Sequence, residues 1–300
     1  MRRRMTTAVW CGVLAAAGVA AAADKTAAAG PEAINLLADG LAAWEVWMGV
    51  PHASVGGLPE GTYRSDDVHA GEPLGLGRDL KQTFAVRQID GVPTLHVTGE
   101  VYGGLTTKAS FADYHLRTEF RWGDRKWEPR LEAKRDSGIL YHAHGEHGKF
   151  WRVWKACLEY QVQERDLGDF IPLGGPRAAV RGREIDGRLT YDPASDTLHD
   201  ATGYTHAAVE PDAPHGAWNV LEIYVVGDDA VHVANGEVVM AVQNAVDAAG
   251  RPLTSGQIQL QSEAAECFYR HLTVTPLDAM PAAYAGLFAA AGGDPAEPQD

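Results

Sequence analysis

Apolar and polar residues alternate with a period of two along much of this chain. From Tyr114 to Trp122, the residues Tyr114, Leu116, Thr118, Phe120 and Trp122 fall on one face, and His115, Arg117, Glu119 and Arg121 on the other. A period of two with one apolar face predicts a half-buried strand. Gly138 to His144 sets Ile139, Tyr141 and Ala143 against Leu140, His142 and His144, and Leu158 to Gln163 sets Leu158, Tyr160 and Val162 against Glu159, Gln161 and Gln163. Trp218 to Val226 and Phe268 to Thr275 behave alike, and Gln257, Gln259 and Gln261 alternate with Ile258 and Leu260. Asn235-Gly236, between two such runs, is a hairpin turn that favours positive φ. Helical periodicity is confined to Met280 to Ala290.

Many short strands separated by turns predict an all-β fold, a single sandwich of two antiparallel sheets, not alternating β and α units. Pro51 to Lys81 and Gly174 to Pro214 lack the alternation and are expected to be long surface loops that wall a site.

The ends of the chain read differently. Arg2, Arg3 and Arg4 precede an apolar stretch from Thr7 to Ala20, which closes in small residues before Asp24. That order predicts a signal peptide over residues 1–23, hence export to the periplasm or beyond the cell, with no membrane attachment after cleavage. Losing three arginines moves the formal charge from -14 to about -17, a poor field for nucleic acid or anionic lipid. Cys157 and Cys267 remain, either as a disulfide or as two buried thiols. A sandwich domain over residues 30–278 leaves a tail, 279–300, whose Ala, Gly, Pro and acidic composition predicts partial disorder.

The polar strand faces carry the candidate chemistry. Arg117 and Glu119, His142 and His144, and Glu159, Gln161 and Gln163 offer guanidinium, imidazole, carboxyl and amide groups, which grip sugar hydroxyls or move protons. His142 and His144, two apart on a strand, could also present two nitrogens to a divalent metal, with Glu146 and His147 close by. Glu119 and Glu159 could form the two-carboxyl pair of an ordinary glycosidase, which requires a separation of about 5 to 9 Å. Trp127, Trp151 and Trp154 lie in polar loop contexts that suit sugar platforms, and Lys155 adds a cation beside them. A wet but inert sheet face fits the same pattern.

Several short segments in a fixed order resemble a known family. They are Leu37-Ala38-Asp39-Gly40-Leu41-Ala42-Ala43-Trp44, Gly104-Leu105-Thr106-Thr107, Phe111-Ala112-Asp113-Tyr114-His115-Leu116, Asp136-Ser137-Gly138-Ile139, Leu158-Glu159-Tyr160-Gln161-Val162, Gly216-Ala217-Trp218-Asn219, Ala234-Asn235-Gly236 and Gly256-Gln257-Ile258-Gln259-Leu260-Gln261. From about Ile34 to Leu277 the chain resembles the 3-keto-disaccharide hydrolase family. The resemblance implies a concanavalin A-like jelly roll and a carbohydrate substrate already oxidised at C3. A C3 ketone acidifies the C2 hydrogen, so a base can remove it and expel the C1 substituent before water adds back. It further implies Glu159 as the leading catalytic residue, His142 as base or metal ligand, and Glu119 and Arg117 as aids to the leaving group or sugar hydroxyls. Gln161, Gln163, Trp127, Trp154 and Lys155 are the expected substrate contacts. A sugar 3-oxidoreductase is the expected upstream partner. A non-catalytic lectin-like module and a conventional two-carboxyl hydrolase are the rival expectations.

Overall fold

The computed structural model describes residues 32–288. The expected signal peptide and residues 289–300 lie outside the described residues. Two antiparallel sheets make up almost all of what is described. One has eleven strands. Its main path runs Arg188–Tyr191, Arg177–Ile185, Glu237–Val246, Asp229–Ala234, Asn219–Val226, Tyr114–Lys126, Ala265–Pro276, Val92–Val97 and Phe84–Ile89. Ile34–Asn35 and Leu198–Ala201 add to its sides. The other has seven strands, in the order Phe170–Leu173, Ala156–Gln163, Asp136–His144, Gln257–Ser262, Gly103–Thr107, Trp44–Met48 and Gly75–Leu76. The architecture is the sandwich of two antiparallel sheets that the alternation predicts, in the jelly-roll form that the resemblance implies.

Between the sheets, the inward residues of each strand form the core, among them Leu116, Phe120, Ile223, Tyr141, Tyr160 and Leu260. Each fully buried side chain of this size contributes roughly 1.5–3 kcal/mol. The hairpin turns through Asn235 and Gly236, both at positive φ. Met280 to Ala290 yields a single helical turn, Ala282–Ala285, followed by the 3-10 turn Gly286–Phe288.

Three features depart from the sequence pattern. Gly174 to Pro214 is not a loop, since Arg177–Ile185, Arg188–Tyr191 and Leu198–Ala201 extend the eleven-stranded sheet. Its strands hide behind charge because they lie at the sheet margin, where side chains stay wet. Second, the register of Asp136–His144 breaks between Tyr141 and His144, with His142 at φ +50°. A bulge of this kind shifts the phase of alternation. Third, the outward face of the seven-stranded sheet is itself covered. Leu140, Cys157 and Leu173 pack there with Tyr102, Val153 and Trp154 in a second apolar cluster. Cys157 belongs to this outer cluster and Cys267 to the sandwich core, and both are buried free thiols.

Candidate functional site

The polar residues of Ala156–Gln163 point to the outward face of the seven-stranded sheet, beside the second apolar cluster. Gly138, on the adjacent strand, pairs with Gln161. A Cβ at Gly138 would lie 2.2 Å from Glu159 Oε1 and 2.6 Å from Gln261 Oε1. The absent side chain is therefore what lets the Glu159 carboxyl and the Gln261 amide fold over the sheet at this point. Glu159 is only 3% exposed, and Asp136, Gln161, Gln261 and Glu263 are buried around it.

Three carboxyl groups thus share a small volume with one guanidinium. Arg130, carried by the loop that follows Tyr114–Lys126, places its guanidinium 2.6 Å from Asp136 Oδ2 and 3.3 Å from Glu263 Oε1. The Tyr102 hydroxyl stands close enough for the same guanidinium to act on it. Gln163 donates its amide to Asp136. One cation cannot balance three buried anions, so protons are retained. Burial first, then the charges of Asp136 and Glu263, hold the Glu159 carboxyl well above the usual carboxylate range, against a hydrogen bond with Gln261. Glu263 is held up by burial and by Asp136, with Arg130 opposing. Asp136 is pushed up to about 6 by burial, with Arg130 and Gln163 restraining the rise. Burial thus favours the protonated form of all three carboxyl groups, and the Arg130 guanidinium favours the ionised form of Asp136 and Glu263. Carboxyl groups whose environments differ in this way can divide the parts of acid and base between them.

Three buried polar atoms here have no partner among the described residues: Gln261 Oε1, Asp136 Oδ1 and Arg130 Nε. Two acceptors and a donor around one carboxyl suit a ligand whose hydroxyls both donate and accept. Glu164, the residue after Gln163, lines a cleft of 510 Å³ together with Trp122, Lys134, Arg165, Asp212 and His215. Glu164 fixes its rim, accepting from the Arg135 backbone at 3.0 Å and from its guanidinium at 2.8 Å.

Other expected site residues lie elsewhere. Arg117 and Glu119 belong to the eleven-stranded sheet, where Glu119 accepts from Arg270 at 2.7 Å and Arg117 stands 3.7 Å away. They face outward on the opposite side of the sandwich, so the pairing of Glu119 with Glu159 does not form. His142 is turned by the bulge away from the Glu159 face. Its imidazole, pushed down to about 4 by burial, lies by the backbone of Ser255 and Gly227. His144 donates Nδ1–H to the His142 carbonyl at 2.8 Å. Both His142 ring nitrogens are buried with no hydrogen-bond partner among the described residues. Among the described residues, metal-ligand spacing occurs instead at Asp166, Asp169 and His206, with Lys134 paired to Asp166.

Trp154 is buried under the covering cluster, 6.1 Å from the Tyr102 ring, and serves as roof in place of an open platform. Trp127 packs against the same cluster and donates its indole N–H to the Thr98 carbonyl at 2.9 Å. Lys155 donates its backbone N–H to Gln259 Oε1 at 3.2 Å, and its ammonium is pushed down by burial, with Glu45 opposing. Glu159, Gln161 and Gln163 do come together, joined by Asp136, Arg130, Gln261 and Glu263. Glu263 was within reach, since it extends the alternation of Gln257, Gln259 and Gln261 by one more step. Arg130 had no such signal.

The family described as the 3-keto-alpha-glucoside-1,2-lyase-like domain matches residues 59–275. Among solved structures, the chain is similar to a glycosyl-hydrolase-like protein from Parabacteroides distasonis, at 16% identity and a TM-score of 0.42, over 65% of this chain and 84% of that one. It is similar to the carbohydrate-binding module CBM66 from Bacillus subtilis at 13% identity and a TM-score of 0.39, over 64% and 91% of the two chains. The alginate lyase AlgAT5, of polysaccharide lyase family 7, shows 12% identity and a TM-score of 0.37 over 78% and 94%. No curated protein matches the chain in sequence.

Proposed function

Because this chain belongs to the 3-keto-alpha-glucoside-1,2-lyase-like family, we propose that it cleaves 3-keto glycosides by elimination and hydration, using the carboxyl cluster of Asp136, Glu159 and Glu263. The observation that carries the reading is the burial of three carboxyl groups with the single guanidinium of Arg130.

The chemistry follows from the protonation states. The Asp136 carboxylate takes the hydrogen at C2, which the C3 ketone has made acidic, and the electron pair delocalises onto the ketone oxygen. The Arg130 guanidinium is the local positive charge that steadies the enolate. The enolate then expels the C1 oxygen, which takes its proton from the neutral Glu159 carboxyl. One C–H and one C–O bond break, a C1–C2 double bond forms, and the leaving group departs as a neutral alcohol. Water adds across that double bond to give the free 3-keto sugar. Gln161 and Gln261 supply the amide groups that hold ring hydroxyls. The ketone must be made beforehand, so an oxidation of the C3 hydroxyl precedes this step, as a sugar 3-oxidoreductase would perform. The N-terminal residues support export, which would place the reaction outside the cytoplasm.

The test is Glu159→Gln against a matched pair of plain and 3-keto glycosides. Wild type should release the leaving group only from the keto substrate, and the variant should lose roughly 10²–10⁴-fold in turnover, the usual worth of a positioned acid or base. Turnover of the keto glycoside by Glu159→Gln at the wild-type rate would sink the assignment.

A further inference from the structure

The carboxyl cluster is closed to solvent, with Asp136 4%, Glu159 3%, Glu263 5% and Gln261 1% exposed. A sugar ring cannot meet these groups while their cover is in place, so the cover has to move. It comes from two parts of the chain. Val153 and Trp154 belong to the segment from Gly145 to Lys155, which links Asp136–His144 to Ala156–Gln163, and Val68 belongs to the segment from Pro51 to Lys81. Tyr102 joins this cover to the cluster. Its ring lies 6.1 Å from that of Trp154 and 5.8 Å from that of His69, and its hydroxyl is within reach of the Arg130 guanidinium.

Of the two parts, Gly145 to Lys155 is the one built to come away. Its turn closes on itself, with Phe150 N–H donating to the Trp154 carbonyl at 2.8 Å and the Val153 and Trp154 N–H groups to the Phe150 carbonyl at 3.0 Å each. Hydrogen bonds join it to the rest of the described chain through Trp47 Nε1–H, donating to the Arg152 carbonyl at 2.9 Å, and through Lys155 N–H, donating to Gln259 Oε1 at 3.2 Å. Trp151 and Arg152 stand at φ +51° and +63°, a region that residues with side chains rarely adopt. Trp154 Nε1, His147 Nδ1 and, on the facing segment, His69 Nε2 are buried without a partner among the described residues. Lifting the segment into water relieves that strain and satisfies those atoms. One contact works against release. The Trp151 indole, 44% exposed, stacks on the His69 ring at 4.1 Å and 29° and so fastens one part of the cover to the other. We propose that Gly145 to Lys155 is a lid over the carboxyl cluster and that the stack of Trp151 on His69 is the latch that holds it shut. What enters beneath the lid rests on the elimination reading above.

Amide hydrogen exchange tests the lid itself. The Val153 and Trp154 amides should exchange well ahead of those in Ala156–Gln163, and Trp151→Ala should speed them roughly two- to tenfold, the worth of one aromatic pair, without changing the strand. Exchange of these two amides in step with the strand, or indifferent to Trp151→Ala, would overturn the lid. Gating is tested with His69→Cys and Trp151→Cys combined, the two thiols either bridged by a short, reducible bifunctional reagent or each capped singly. Cys157 and Cys267 are buried and stay unmodified. On a 3-keto glycoside the capped protein should turn over, and the bridged protein should lose nearly all turnover until reduction cleaves the bridge. Bridged protein as active as capped, or capped protein as inactive as bridged, would overturn the latch. If wild type cleaves no keto glycoside, it is the elimination reading that fails, and hydrogen exchange still decides the lid.

Discussion

Replacing Arg130 by Gln removes the one positive charge that Asp136 and Glu263 share. The guanidinium lies 2.6 Å from Asp136 and 3.3 Å from Glu263, and its side chain is one quarter exposed, so solvent screens it only in part. An opposite charge at such range lowers a carboxyl pKa by roughly 1–3 units, and part of that is returned when the cation goes. Arg130 opposes the rise of Asp136, whose carboxyl stands at about 6 with the guanidinium in place. A base at that value is about nine-tenths ionised at pH 7, and a rise of about one to two units leaves about a half to a tenth ionised. The acid limb of the kcat/KM profile on a 3-keto glycoside should therefore move to higher pH by that amount. Arg130→Lys, which restores charge without the bidentate fork, should bring the limb part of the way back. Near-UV circular dichroism checks that the fold is retained. If Arg130→Gln keeps its fold and its acid limb stays where wild type has it, Asp136 is not the base and the electrostatic account is wrong.

Gly138→Ala should leave the sandwich folded but lower kcat, since the new methyl would overlap Glu159 Oε1 and Gln261 Oε1. A displacement of about 1 Å at the acid costs on the order of 10²-fold, and single-turnover kinetics would show whether that loss falls on the chemical step. Melting temperature should fall as pH rises from about 6.5 to about 8. Asp169 has its carboxyl pushed up to about 7 by burial, and Glu159 and Glu263 are raised too, so the folded state binds more protons than the unfolded one in this window. His142 and His232, pushed down to about 4 by burial, act in the opposite sense but only below about pH 6.5, where the unfolded chain gains their protons. Calorimetry showing a rising melting temperature across that window would contradict the buried, protonated carboxyls.

Period-two alternation made the sandwich legible because each strand buries one face against the other sheet. Tyr114 to Trp122 and Leu158 to Gln163 fell into place for that reason. The same signal says which face a residue occupies and nothing about which sheet its strand joins. Glu119 and Glu159 therefore looked like neighbours in sequence, yet they stand on opposite outer surfaces. The bulge after Tyr141 was hidden for a related reason, since one extra residue reverses the phase without leaving any mark in composition. His142 and His144 were misplaced by that single step. Arg130 sits in an irregular loop with no periodicity, and its meaning depends wholly on contacts with residues 136 and 263.

The seven-stranded sheet is packed on both faces, by the sandwich core beneath and by the cluster of Trp154 and Tyr102 above. Its buried carboxyls thus ride on a sheet that is packed on both faces. Water around a charge must reorganise whenever that charge moves, whereas fixed dipoles and a clamped guanidinium have done so during folding. Preorganisation of this kind is a property of the whole double-packed layer, not of any one side chain. It follows that the acidity of Glu159 can be retuned by distant changes in the covering cluster. A smaller residue at Trp154 would admit water and relax the carboxyl toward its solution value without touching any member of the carboxyl cluster itself.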